Sequence, residues 1–473
     1  MTAAKVNNVI VKPANASKLS KIWERVSLAF REFLKVPTLI ILGFLVLFIL
    51  SSVIDHERFA ALKPIRDFFK DNIFNDPKAT SDLLGTIATS IITVSSLSIT
   101  LLLIVVQQTA STMSTEVFDQ FFRSRHNQIY FGFFIGLALY SITVLATVRD
   151  KFNPVFGASL AIVFIVTALY LLIVLIYTTI NDMRPVAIIG RIYDLTLNAR
   201  KKQMHFIPKT RRDATFEGPC KTSIQIEEHG YISHINFDRI YEAIKKAKAE
   251  VEVVLTISMG EYVTYKQEIA FVTSEHSADG ETVGNVVAKY ISIHEKVDIG
   301  RDPYGGIIEI ETIGWTSIST AKSNPAPGLI AIRALCTLLS RWSYTNMEPG
   351  EIIYPIVYKD NVVARLMDTF TTLTVAASES MQHQSFIEIL HAVTLVFGHL
   401  SPHDKIRAED IILRILSAMG EFVLTLPLEI SINKLLQTLL DSGSNGIARA
   451  VEAAKNKLSQ SIGELNSRAT RAQ

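Results

Sequence analysis

A chain of 473 residues with a formal net charge of +2 carries no global basic field of the kind nucleic-acid binding needs, so no DNA or RNA partner is expected. Its two cysteines, Cys220 and Cys336, lie outside any CxxC or Cys/His framework, which excludes a disulfide scaffold and reads as two reduced thiols. Composition averages 49% hydrophobic against 19% charged, but nearly all the charge-free length precedes Asn181. The remainder has ordinary soluble composition, with room for one or two packed domains.

Residues 1–36 form a basic N-terminus. Over Ser20–Val36, Trp23, Val26, Phe30, Phe33 and Leu34 gather near one helical face, with Lys21, Arg25, Arg31 and Lys35 elsewhere. Such an amphipathic helix lies in the headgroup region, with Trp23, Lys21 and Arg25 as membrane-surface contacts, or packs on the soluble part. No A-x-A-like site follows the first apolar run, so that run is expected to remain in the mature protein.

A helix rising 1.5 Å per residue needs about 20 uncharged residues to cross the hydrocarbon. Four stretches qualify as spans: 37–54, 83–108, 129–148 and 154–180, none of which holds Asp, Glu, Lys or Arg. Lys and Arg crowd the approach to the first span and the exit from the fourth, which places both termini in the cytoplasm.

The second span differs from the others. Thr86, Thr89, Thr93, Ser96, Thr100 and Gln107 recur at spacings of three, four and seven, drawing one polar stripe along a helix. Two readings compete. Hydroxyls and small side chains let helices approach and bond across the bundle or back to their own carbonyls. Alternatively, identical helices from several subunits surround an axis, and these six side chains line a water-filled path. The missing intramembrane charge argues against a proton pump or ion-coupled carrier. A pore of hydroxyls would take its selectivity from its mouths, Glu116, Asp119, Arg123, Arg125 and His126 on one side and Asp76 and Asp82 on the other. After this span, Val117, Phe118, Phe121 and Phe122 make an aromatic patch that reads as an interfacial belt or a coupling elbow.

Residues 181–222 read as a basic linker whose Arg200, Lys201 and Lys202 would attract anionic lipid. Residues 223–275 read as a small β-α-β unit, its helix capped by Asn236 and its second strand alternating at Val251, Val253, Leu255 and Ile257. From 276 to 473 the pattern is mainly helical, with a strand expected over 352–365. The last helix carries a narrow stripe, Ile447, Val451, Ala454, Leu458, Ile462 and Leu465, suited to pairing subunits or to docking on its own domain. The fold class expected is therefore an α-helical membrane protein with four transmembrane helices, followed by a mainly helical α+β cytoplasmic region.

No Gly-rich phosphate loop, GxSxG elbow or HExxH occurs, so no catalytic residue, cofactor or enzyme activity is assigned. His383, Glu388, His391, His399, His403 and Asp404 are metal-ligand types, but nothing in their spacing enforces convergence and no metal is expected. The turn-rich loops Arg301–Gly306 and Ser323–Gly328 serve equally to hold ligands or to stop and start helices.

The four spans, the Thr/Ser-rich run from Thr86 to Thr100, the His229-Gly-Tyr-Ile232 turn and the stretch Asp302–Gly328 together resemble a widespread bacterial family of predicted membrane proteins, domain of unknown function 2254. In the last stretch Asp302, Gly306, Ser319 and Pro325 are similar to the family pattern, while Thr320, Ser323 and Asn324 depart from it. The resemblance implies a multi-pass protein of the bacterial inner membrane and supplies no activity. The leading expectation is a homo-oligomeric pore or channel-like protein with membrane lipid around it and a regulatory cytoplasmic domain. A membrane-anchored scaffold or ligand sensor is the alternative, and a membrane-associated enzyme the third.

Overall fold

The four long apolar runs fold as four helices. In the computed structural model, which describes residues 6–11, 30–57, 68–69, 74, 76–113, 124–149, 152–247, 250–295, 297, 299–319, 324–344, 351–419 and 423–460, they are α1 (Lys35–Glu57), α2 (Pro77–Thr112), α3 (Arg125–Leu145) and α4 (Val155–Asp182). All four are long and apolar enough to cross a membrane. The second starts at Pro77 rather than at residue 83 because the Asp76 side chain accepts from the Lys78 N–H and Pro77 needs no donor in the first turn. The chain divides into two units, Asn15–Ala187 and Met1–Ala14 with Ile188–Gln473.

In the first unit α3 is the most enclosed helix. Its Tyr140 and Phe133 join Phe44 of α1 and Phe164 of α4 in an edge-to-face cluster, with Phe44 centred 5.3 Å from both Phe133 and Phe164. Gly132 and Gly136, one helical turn apart, let α1 come close: a Cβ built at Gly132 would stand 2.8 Å from the Pro37 Cα.

The second unit begins with β1 (Val6–Val11), which pairs in parallel with β2 (Cys220–Ile226). Between them in sequence, within the stretch expected as a linker, lies α5 (Pro185–Gln203). There follow β3 (Gly230–Ile235), α6 (Phe237–Lys246), β4 (Val251–Leu255), β5 (Tyr262–Val263), β6 (Glu268–Ser274), α7 (Ser277–Lys289) and β7 (Ile291–His294). Then come α8 (Pro303–Ser319), α9 (Ala326–Tyr344) and β8 (Ile356–Val357). One sheet has the order β1-β2-β6-β4-β8 and the other β5-β3-β7. The strands flanking α6 thus belong to different sheets, so the segment expected as one β-α-β unit is shared between two. Alternation identifies a strand but not its neighbour, and here the neighbours come from residues 6–11, 291–294 and 356–357. Asn236 caps α6 as expected, accepting from the Arg239 N–H at 3.1 Å.

The strand expected over 352–365 shrinks to β8, because Val362, Leu366, Phe370 and Leu373 recur at helical spacing and open α10 (Val362–Glu379). Four further helices complete the chain: α11 (His383–Phe397), α12 (Pro402–Ala418), α13 (Leu426–Asp441) and α14 (Asn445–Gln460). Each of α8 to α11 packs on the next helix but one, so α8, α10 and α12 form one row and α9, α11 and α13 the other. Layered helix pairs of this kind build α-solenoids. The final helix buries Ala448, Val451 and Leu458 against its own unit. Ile462 and Leu465 lie outside the described residues.

One ion pair anchors the larger sheet. Glu252 on β4, with its side chain only 1% exposed, accepts from Arg211 at 2.6 Å and from the N–H groups of Thr215 and Phe216. Burial pushes its carboxyl upward, but Arg211 and the backbone donors outweigh burial and hold it below the ordinary 4.5. Because the folded value is depressed, the pair stabilises above the unfolded pKa, and that stability is lost as pH falls through the folded one. Glu252→Gln is therefore expected to cost about 2–3 kcal/mol near neutral pH, since it weakens hydrogen bonds to a charged group, and to cost less at pH 3. Urea unfolding of the full chain in mild detergent at both pH values checks this; an equal loss at both would exclude the charge as the cause.

Candidate functional site

The polar stripe is built by the register of α2. One side of the helix, Leu84, Ile87, Ala88, Ile91, Leu102, Val106 and Ala110, is buried, and α2 packs on α3 and α4. The opposite side carries the stripe: Thr86, Thr89, Thr93, Ser96, Thr100 and Gln107 are all exposed on the subunit. None of the six turns into the subunit's own bundle.

Three of these threonines do bond back to their own helix. Thr86 donates to the Asp82 carbonyl at 2.7 Å, Thr93 to Thr89 at 2.8 Å and Thr100 to Ser96 at 2.9 Å. Their donors are satisfied, and their oxygen lone pairs point a row of acceptors outward. Exposed Asp82 stands at one end of the row. Arg125 and His126, exposed in the first turn of α3, are the expected mouth residues described toward the other. Glu116, Asp119 and Arg123, with the aromatic patch Val117, Phe118, Phe121 and Phe122, lie outside the described residues, as do Lys21, Trp23 and Arg25.

One ionisable residue escapes a reading that ends the first span at residue 54. Because α1 continues to Glu57, Asp55 belongs to it, 5% exposed, and accepts from the Phe156 and Gly157 N–H groups at 2.9 and 3.0 Å. Tyr140 donates to the Gly157 carbonyl beside it at 3.1 Å. The carboxylate caps the open N-terminus of α4, where backbone donors and the helix dipole both favour an anion. Capping accounts for its burial. A polar residue one position past an apolar run was the available signal.

The basic run at the end of α5 splits. Lys201 and Lys202 are exposed, but Arg200, expected at a lipid surface, is 6% exposed. Its guanidinium forms a two-pronged pair with Asp360, donates to Gln203 at 3.3 Å and lies 5.6 Å from the Trp342 ring. A charge cluster reads as surface until a partner distant in sequence is known, and Asp360 is that partner.

The histidine-rich stretch disperses. Glu388 pairs with Arg333 at 2.6 Å, the His399 ring lies tilted against Tyr344 with centroids 3.7 Å apart, and Asp404 accepts from Ser401 at 2.6 Å. Among the described residues no three His, Cys, Asp or Glu side chains come together to hold a metal.

A family model described as "Predicted membrane protein" matches residues 31–381, from just before α1 to just past α10. No curated protein and no solved structure matches the chain.

Proposed function

The chain belongs to this family of predicted membrane proteins, DUF2254, and from that premise we propose that it is the subunit of a homo-oligomeric pore in the bacterial inner membrane, with α2 lining the path. The observation that carries the reading is the outward stripe of Thr86, Thr89, Thr93, Ser96, Thr100 and Gln107. The exposed amide of Gln107 is poorly matched to hydrocarbon, where a polar group without a partner costs several kcal/mol, whereas the hydroxyls of Thr86, Thr93 and Thr100, bonded back to their own helix, cost less. A ring of copies with α2 toward the axis gives every one of them water. The path holds no fixed charge of its own among these six, so ion preference comes from Asp82, Arg125 and His126 near its ends.

Parallel pairing of β1 with β2 supports both termini lying on one side of the membrane, since residues 6–11 and 220–226 share a sheet. The basic flanks assign that side to the cytoplasm. The soluble unit is then the regulatory part.

Native mass spectrometry of the full chain in mild detergent is expected to give a ring-compatible oligomer. In reconstituted bilayers, Thr93→Val with Thr100→Val is expected to lower or reshape conductance while leaving that mass unchanged. A monomer in both detergent and nanodiscs, or an intact oligomer whose currents ignore the double substitution, would remove the pore and leave a membrane-anchored scaffold.

A further inference from the structure

A cavity of about 350 Å³ opens within the second unit, lined by Lys202, Gln203, Phe206, His234, Met259 and Arg301. That volume falls in the range of small-molecule sites. Four separate pieces of chain supply it: the end of α5 with the residues after it, strand β3, the turn after β4, and the turn before α8. The exposed basic run and the turn-rich loop at Arg301, far apart in sequence, meet here.

Its floor is fixed and largely apolar. Gln203 and Met259 are buried, 2% and 4% exposed, with the Gln203 amide 3.8 Å from the Met259 sulfur and its oxygen held by Arg200. Phe206 is stacked on Phe237 with centroids 4.8 Å apart, which makes it a rigid aromatic wall. The rim is basic. Lys202 donates to the Gly300 carbonyl at 3.1 Å, tethering its ammonium to the turn that carries Arg301. Burial, and then the Arg301 charge, lower the His234 imidazole below 6.5, so it is neutral near pH 7 and offers a ring N–H. Of the acids nearby, Asp360 is paired with Arg200, while Asp302 accepts from the Tyr304 N–H at 3.0 Å and Glu261 from the Ser258 N–H at 2.9 Å, bonds that fix these carboxylates without removing their charge.

We propose that this cavity binds a small phosphate-bearing ligand with a flat apolar body, its phosphate held at the rim by Lys202, Arg301 and His234 and its body lying on Phe206 and Met259. An aromatic wall beside clustered cations suits such a molecule better than a bare ion, because the apolar floor gives inorganic phosphate nothing to cover. A soluble metabolite and a lipid headgroup share this chemistry. The site stands independently of the pore, since it needs neither oligomer nor conduction.

The test is a calorimetric titration of the full chain, in phosphate-free mild detergent, with phenyl phosphate and with inorganic phosphate as probes. Phenyl phosphate is expected to bind saturably, and Lys202→Gln and Arg301→Gln each to weaken it about tenfold or more, as loss of a charge-assisted hydrogen bond does. Arg301→Lys is expected to retain part of the affinity. Both residues are exposed, and an unchanged thermal melt of each variant shows that folding is not the cause. Repeating the titration in nanodiscs of phosphatidylcholine with and without phosphatidylglycerol separates the sources: competition by the anionic lipid supports a headgroup, and its absence supports a soluble ligand. No saturable binding of phenyl phosphate, or binding equal in wild type and both glutamine variants, overturns the site.

Discussion

Asp360→Ala is expected to destabilise the second unit by about 3–5 kcal/mol, the cost of leaving a buried charge without its partner. Arg200 has little water to fall back on: it is 6% exposed, with Trp342 at 5.6 Å and Gln203 as its other hydrogen-bond partner. The pair also ties two elements together, since Arg200 is in the last turn of α5 and Asp360 stands two residues before α10, where its carboxylate also reaches the Val362 N–H at 3.4 Å. Each charge sits at the helix end that favours it. Asp360→Asn keeps acceptor geometry on one oxygen but removes the charge, so a smaller loss is expected. Arg200→Lys gives up the planar fork and with it the second hydrogen bond. Replacing both partners together, Arg200→Met with Asp360→Leu, is expected to recover most of the loss, because no charge then remains unpaired. Urea unfolding of the full chain in mild detergent, followed by tryptophan fluorescence, measures the series. A loss below about 1 kcal/mol for Asp360→Ala would mean that Arg200 is solvated, as an exposed pair is, and would return it to the membrane surface that the basic run alone suggests.

That example marks the border of what a single sequence carries. The spans were legible because hydrocarbon thickness imposes a length and forbids charge, and both conditions are local. The face of α2 was legible for the same reason: a spacing of three and four puts Thr86, Thr93 and Thr100 on one side whatever surrounds the helix, and all three are exposed. Which side faces the bundle depends on the apolar residues opposite, also local, at Leu84, Ile87 and Ile91. By contrast, the fate of Arg200 rests on Asp360, and the sheet position of β2 rests on residues 6–11 and 268–274. No periodicity within α5 or β2 contains that information. The phosphate-site candidate shows both sides at once, for the basic run and the Arg301 turn were each visible and their meeting was not. Gly132 and Gly136 are different again, a small-xxx-small spacing open to view within an apolar run whose packing role only the α1 backbone reveals.

Gly132→Leu is expected to cost the membrane unit about 3 kcal/mol or more, at the upper end of overpacking penalties, because the obstacle is main chain. Even a methyl group at this position would stand 2.8 Å from the Pro37 Cα and 3.1 Å from the Ile40 Cδ1. A side chain in the way can change rotamer, but a backbone atom moves only with its helix, so α1 must translate away from α3. Gly136→Ala meets the Phe44 ring instead, which can turn at the expense of its packing on Phe133 and Phe164, and a smaller loss is expected. Gly43→Ala supplies the control: no atom lies within 4 Å of the added carbon, and alanine favours a helix interior, so stability is expected to hold or rise slightly. Thermal melts of the three full-length variants in one detergent order them. If Gly132→Leu melts with Gly43→Ala, α1 and α3 do not approach as closely as the glycines allow. If it is destabilised as expected, the proposed pore gains a second readout. Since α2 packs against α3, any shift of α3 as α1 moves away changes the direction in which Thr93 and Thr100 point, and the proposed pore lined by them is expected to lose subunits before the second unit unfolds.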